Sequence, residues 1–213
     1  HTVDRMLDLL RADGVEPVYD LRLYVSDADR QWADEYLDDT ALAGKRFSIV
    51  APTAMWASKH WPTDRFAKLA DRLTAYDIEA ILVVASENER EQTRAMFESP
   101  GKLPRHDAVG RTTVGQLMAL IERCEIALCN DSAALHLAVG LGRRCIGVFG
   151  PTDPGKVGPY RYDRAVVAAP RPDDIRYRSS STDQSLIRQV TVDDAWRAVQ
   201  RVMAEPPPDP SDM

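Results

Sequence analysis

The stretch Ile126–Phe149, IALCNDSAALHLAVGLGRRCIGVF, decides the fold. It opens on the apolar run Ile126–Cys129, the length of a buried strand. Asn130, Asp131 and Ser132 interrupt the run, and short polar side chains of this kind favour helix N-caps and turns. Ser132–Leu141 then reads as a helix, and Cys145–Phe149 as a second apolar strand. A strand, a helix and another strand in succession form a βαβ unit with parallel strands. Both strands are apolar at successive positions rather than alternate ones, as a sheet covered by helices on both faces requires.

The same rhythm extends upstream. Phe47–Ala51 is a short apolar strand, and Asp64–Tyr76 an amphipathic helix with Phe66, Leu69, Ala70 and Leu73 on one face. Glu79–Ala85 reads as a buried strand and Glu87–Phe97 as a polar helix. Gly101–Gly110 is a connection with a short strand expected at Ala108–Val109, and Val114–Arg123 is a helix. The expected class is α/β, a Rossmann-like parallel sheet with helices on both faces. Downstream the rhythm breaks into a Gly/Pro-rich loop, Gly150–Arg161, then a last strand at Ala165–Ala169. Arg171–Gln189, with Ser179-Ser180-Ser181, reads as an irregular loop. Val192–Met203 reads as a helix capped by Thr191 and Asp194. At the amino end, Thr2–Ala12 is a helix stopped by Gly14, and Asp20–Val25 alternates as a half-buried strand would. Ser26 caps a further helix to about Leu37. Residues 1–45 therefore read as a lead-in, 46–204 as the α/β domain, and 205–213, with Pro206-Pro207-Pro208, as a disordered tail.

The 213 residues carry 27 lysines and arginines against 33 aspartates and glutamates, so the formal charge is 27 − 33 = −6. That excess argues against a nucleic-acid partner, which would need a basic footprint. No apolar run approaches the roughly 20 residues of a membrane helix. Cys124, Cys129 and Cys145 have neither disulfide-framework nor metal-ligand spacing, and each sits in an apolar run. They read as reduced, buried thiols, which fits a reducing compartment. The chain begins at His1 without a signal-peptide layout, so a processed start or a piece of a longer chain is expected.

Three segments carry chemistry. Ala51-Pro52-Thr53-Ala54-Met55-Trp56-Ala57-Ser58-Lys59-His60-Trp61-Pro62 leaves a strand and enters a helix. In an open parallel sheet, ligands bind outside the carboxyl ends of the strands. A lysine there suits a phosphate, although a lone lysine is ordinarily solvated. Cys129-Asn130-Asp131-Ser132-Ala133-Ala134-Leu135-His136 runs from strand directly into helix. Ser132 or Asp131 can cap that helix, and the N–H groups of Ser132, Ala133 and Ala134 can receive a pyrophosphate. Asp131 itself would repel a phosphate, so it orders the loop or accepts a sugar hydroxyl. His136, one turn on, can point back over the same crevice. The third segment is Phe149-Gly150-Pro151-Thr152-Asp153-Pro154-Gly155, a wall of the same site. Glu87, Glu89, Arg90 and Glu91 begin a helix at this sheet end, where a carboxylate can grip ribose hydroxyls. No strand is followed by Gly-x-Gly-x-x-Gly, which weakens a dinucleotide reading.

Lys59-His60-Trp61-Pro62, Asn130-Asp131-Ser132 with His136, and the Phe149–Gly155 loop together resemble glycosyltransferase family 9, the heptosyltransferases of the lipopolysaccharide inner core. The resemblance covers about His1 to Met203 and implies the carboxyl-terminal, donor-binding half of a GT-B fold, with 1–45 leading in from a missing amino-terminal domain. It implies that Lys59 neutralises the donor diphosphate, that Glu89 lies near the ribose and Thr112 near the adenine. It places Asp131, Ser132, Ala133 and His136 along the diphosphate and sugar, with Thr53 or Ala54 on the first loop. The implied reaction is inverting, metal-independent transfer of a heptose or related sugar from an ADP-sugar to a lipid-linked saccharide. No cofactor beyond that substrate is implied. The catalytic base is expected on the missing domain and no catalytic residue in this chain, so the isolated fragment is expected to be inactive. The implied location is cytoplasmic, at the inner face of the inner membrane, with peripheral association through the full-length enzyme. The family usually has Gly where Ala133 stands, Pro where Arg144 stands, and in many relatives cysteines near 171–189, which are absent here. Two other readings fit the fold: a nucleotide-sugar epimerase of the same architecture, and a non-catalytic nucleotide-binding module.

Overall fold

The structure, a computed structural model, describes residues 1–170 and 183–212. The Ser179-Ser180-Ser181 run lies outside the described residues. The helices α1 (Thr2–Ala12) and α2 (Asp27–Asp39) precede strand β1 (Phe47–Ala51). Then follow α3 (Thr63–Asp71), β2 (Ala80–Val83), α4 (Arg90–Glu98), β3 (Arg105–Asp107) and α5 (Val114–Arg123). The chain continues through β4 (Ala127–Asn130), α6 (Ala133–Gly140), β5 (Cys145–Phe149), the short α7 (Pro154–Val157), β6 (Val166–Ala168) and α8 (Val192–Met203).

The six strands form one sheet in the order β3-β2-β1-β4-β5-β6, every pair parallel. From β1 the sheet grows one way through β2 and β3, then the other way through β4, β5 and β6. Crossovers between parallel strands are right-handed, so this reversal sends the connecting helices to opposite faces. Accordingly α3 packs with α4 and α8, and α5 packs with α2 and α6. Strands β1, β2, β4 and β5 are buried along their whole length.

The core is continuous. Trp61 is fully buried, meets Phe66 edge-on at 4.9 Å between ring centroids, and donates its indole N–H to the Val190 carbonyl at 2.9 Å. Gly147 in β5 lets α6 approach, since a Cβ there would lie 2.4 Å from a Leu135 methyl. The three cysteines are free and buried. Desolvation pushes the Cys124 thiol up to about 12 and raises Cys129 and Cys145 as well, so all three stay protonated and inert at neutral pH.

Several sequence expectations shift. Asp20–Val25 is extended but joins no sheet: Leu21 N–H donates to the Pro210 carbonyl and Leu23 N–H to that of Gly140. The helix expected to Tyr76 is α-helical only to Asp71, and Arg72–Tyr76 tightens into a 3₁₀ turn that ends at left-handed Asp77, φ 57°. The helix expected from Glu87 begins as a 3₁₀ turn, Glu87–Glu89. The short strand lies at Arg105–Asp107 rather than Ala108–Val109. Residues 26–45 belong to the domain, because Ala33, Leu37 and Leu42 join its core, whereas α1 buries no residue. The tail expected to be disordered is placed through residue 212. Arg144 donates to the Glu205 carbonyl, Arg164 to that of Pro206, and Pro210–Asp212 forms a 3₁₀ turn. Proline-rich composition leaves a chain few donors of its own, but its carbonyls remain acceptors, and these arginines use them.

Replacing Trp61 by Ala removes this packing and the bond to Val190, and is expected to cost about 3–5 kcal/mol. Urea unfolding of the two proteins measures it.

Candidate functional site

Strand β1 ends in a loop that must carry Lys59 back over the sheet edge. Its course is fixed from β4. The buried Asn130 donates to the Pro52 carbonyl at 2.6 Å and accepts the Trp61 N–H at 3.1 Å. His60 donates to the Ala54 carbonyl within the same loop. Ala57–Lys59 forms a 3₁₀ turn, and Gln184 donates to the Ala57 carbonyl at 3.1 Å. Lys59 Nζ then reaches Asp131 Oδ2 at 2.7 Å, with side-chain exposures of 16% and 6%. The same oxygen accepts the Thr152 hydroxyl at 2.7 Å. Asp131 thus ties the loops after β1 and β5 to the end of β4.

Beside this pair, a crevice of about 560 Å³ runs along the carboxyl ends of β1, β2, β3 and β4. All nine residues singled out in the sequence line it: Thr53, Ala54, Lys59, Glu89, Thr112, Asp131, Ser132, Ala133 and His136. Apolar side chains to which the sequence reading gave no role at the site line it too. Met55, Trp56, Val114 and Leu117 form an apolar wall, and Met55 and Val114 stand strongly exposed at its lip. A smaller compartment of about 340 Å³ adjoins it, bounded by Lys59, Asp131, His136, Thr152, Asp153 and Lys156. Of the third segment, Thr152 and Asp153 line this adjoining hollow and no residue lines the crevice itself.

The acids after β2 divide. Glu89 lines the crevice, and its Oε2 accepts from the backbone N–H and hydroxyl of Ser86 in a capping box. Arg90 bridges Glu87 and Asp107 and donates to the Val109 carbonyl, which pins the helix start to the end of β3. Glu91 pairs with Arg94, away from the crevice.

Helix α6 starts at the crevice floor. Ser132 holds the N-cap position, yet its hydroxyl makes no capping bond and has no hydrogen-bond partner. The first N–H groups of α6 therefore lack a side-chain cap, and together with the positive end of the helix dipole they offer an anion site. Ala133, at the first helical position, is exposed. His136 is exposed over the same floor. Although the residue is exposed overall, desolvation of its ring against the crevice wall lowers its pKa; Asp131 opposes that shift, and Lys59 adds to it. Among the described residues no group of three or more His, Cys, Asp or Glu side chains is placed to hold a metal ion. Among them, no helix is long and apolar enough to cross a membrane.

An open parallel sheet with an anion-receptive helix start and a lysine at its switch point is an α/β domain whose ligand crevice lies where this fold class places it. The chain belongs to glycosyltransferase family 9 (heptosyltransferase), whose family model matches residues 1–185. It is 29% identical over 164 residues to lipooligosaccharide heptosyltransferase 2 of Haemophilus influenzae, covering 74% of this chain and 46% of that protein. It is 23% identical over 154 residues to lipopolysaccharide heptosyltransferase 1 of Escherichia coli, covering 72% and 47%. Among solved structures, a family 9 glycosyltransferase from Veillonella parvula superposes with a TM-score of 0.81 at 20% identity, over 96% of this chain and 60% of that one. The Escherichia coli heptosyltransferase WaaC with ADP gives 0.58 at 19% identity, over 80% and 48%. These structures share the fold. The chain spans about half the length of the curated relatives it matches.

Because the folded-state value of His136 lies below the unfolded 6.5, protonation favours unfolding. The stability tied to the neutral ring is fully present above the unfolded value and is lost as pH falls through the folded one. A nuclear magnetic resonance titration of His136 is expected to show a midpoint below 6.5. A midpoint at or above that value contradicts the desolvation argument.

Proposed function

We propose that this chain is the donor-binding half of a heptosyltransferase and that its crevice takes the diphosphate of an ADP-activated heptose. The observation that carries this is the uncapped start of α6, with the partnerless Ser132 hydroxyl, in the same crevice as Lys59. A pyrophosphate supplies the acceptors these donors lack. Two structures of one relative, Escherichia coli WaaC, hold ADP and ADP-2-deoxy-2-fluoro heptose, which supports the same ligand class here.

On this reading the nucleoside lies along the apolar wall. Glu89 accepts ribose hydroxyls, and Thr112 with Thr53 or Ala54 frames the base and the first loop. Asp131, Ser132, Ala133 and His136 run along the diphosphate and sugar. When the sugar leaves the nucleotide, negative charge grows on the departing diphosphate. Lys59 and the N-terminus of α6 meet it with fixed positive ends, so charge neutralisation is assigned to them and not to a metal. A base must take the acceptor hydroxyl's proton, from the side opposite the leaving group if the centre inverts. That base is assigned to the other half of the enzyme. The acceptor, a lipopolysaccharide-type saccharide as in the names of the relatives, enters from that half at the cytoplasmic membrane face.

Calorimetric titration tests the donor site. ADP is expected to bind at up to millimolar concentration, and Lys59→Ala to weaken it by about tenfold or more, since a charge-assisted bond is lost. The variant also leaves Asp131 as an uncompensated charge, which acts in the same direction. No ADP binding by the unaltered chain, or full affinity in the variant, overturns the assignment. The purified chain alone is expected to transfer no sugar from ADP-heptose to acceptor; measured turnover would place the base here instead.

A further inference from the structure

Oδ2 of Asp131 takes two donors at once, Lys59 Nζ and the Thr152 hydroxyl, each at 2.7 Å. The three residues come from the loops after β1, β4 and β5, three neighbouring strands. Asp131 and Thr152 are 7% and 6% exposed, so water competes little for their bond. The Thr152 loop is itself held. A Cβ at Gly150 would lie 2.8 Å from Ile187 and 3.1 Å from the Ser58 carbonyl, so β5's exit packs directly on the loop that carries Lys59.

A carboxylate next to a phosphate-binding lysine sets a conflict. It competes with the ligand for the ammonium, and it repels the ligand's charge. The Thr152 hydroxyl bears on both. It satisfies part of Oδ2 independently of Lys59, and it holds the carboxylate toward the β5 side. We propose that Thr152 is a positioning residue, whose hydroxyl restrains Asp131 so that Lys59 is shared between that carboxylate and an incoming diphosphate. This rests on the donor assignment above, and Thr152 need touch no substrate atom. Without the hydroxyl, Lys59 is left as the one donor of the two. The pair tightens, and a diphosphate must then displace Asp131 from the ammonium. The threonine lies in the Gly150-Pro151-Thr152-Asp153-Pro154 loop, whose prolines restrict the backbone around it.

Thr152→Val removes the donor at nearly constant volume, and Thr152→Ser keeps it. In calorimetric titration, T152V is expected to weaken ADP binding about tenfold and T152S to stay within about twofold of the unaltered chain. Adenosine, which has no phosphate, is expected to bind all three equally. Undiminished ADP affinity in T152V, failure of T152S to restore it, or an equal loss for adenosine overturns the proposal. Should T152V not fold, Thr152→Ala removes the same donor and is read in the same way. A second measurement needs no nucleotide. With isotope-labelled lysine, the Lys59 side-chain resonance of the ligand-free protein is expected to move in T152V and to return in T152S. Identical resonances in all three proteins overturn the coupling even where ADP fails to bind, so the two assignments fail separately.

Discussion

A parallel sheet ends all its strands' carboxyl termini along one edge, and its chain must leave that edge by loops. Where the sheet grows in both directions from its middle, the two sets of crossovers part, and the edge between them stays open. Here that parting falls between β1 and β4. Lys59 leaves the end of one strand and Asp131 the end of the other, so the reversal of strand order brings the two together. Asn130 converts that proximity into fixed geometry. It is the last residue of β4, fully buried, and both ends of its amide bond the β1 loop. A buried amide with its partners lost would be costly, so the loop follows the strand.

The next consequence is electrostatic. The net charge of −6 gives the molecule no general attraction for an anion, so positive potential at the crevice has to come from local groups. The local device is a half-closed circuit. Lys59 is mostly buried, and an isolated buried ammonium would be expensive to desolvate; Asp131 compensates it. At the same time the first turn of α6 is left without its usual side-chain cap. The site is thus nearly neutral across Lys59–Asp131 and positive at the helix start.

Much of this was legible in the sequence, for reasons that differ by element. The bounds of β1, β5, α1 and α8 follow from apolar runs or caps that tertiary contacts reinforce. The Thr191–Asp194 box forms as its spacing suggests. β3 was missed by a few residues because Arg105-His106-Asp107 is a polar edge strand, defined by its pairing with β2 and not by hydrophobicity. Asp20–Val25 misled in the opposite sense: its alternation is real, but it meets a helix end and the tail instead of a strand edge. All nine site residues converge because topology places every strand-exit loop at one edge. Glu89 is more committed than its position implied, since its capping box with Ser86 uses one carboxylate oxygen. The bond from Thr152 to Asp131 spans 21 residues and obeys no local spacing rule, so only the adjacency of β4 and β5 reveals it.

That adjacency also explains the division of labour among the loops. The β1 loop brings the cation, the β4 loop brings both the compensating anion and a helix start, and the β5 loop brings a neutral hydroxyl. A second cation at the β5 position would tie Asp131 more firmly but leave the empty site with excess buried charge. An apolar side chain there would leave Asp131 wholly to Lys59. A hydroxyl lies between these limits: it steadies the carboxylate without adding charge. The sequence distance between Lys59 and Thr152 is therefore beside the point. The sheet makes them neighbours on one oxygen, so the hold of that carboxylate on the lysine depends on a residue 93 positions further along the chain.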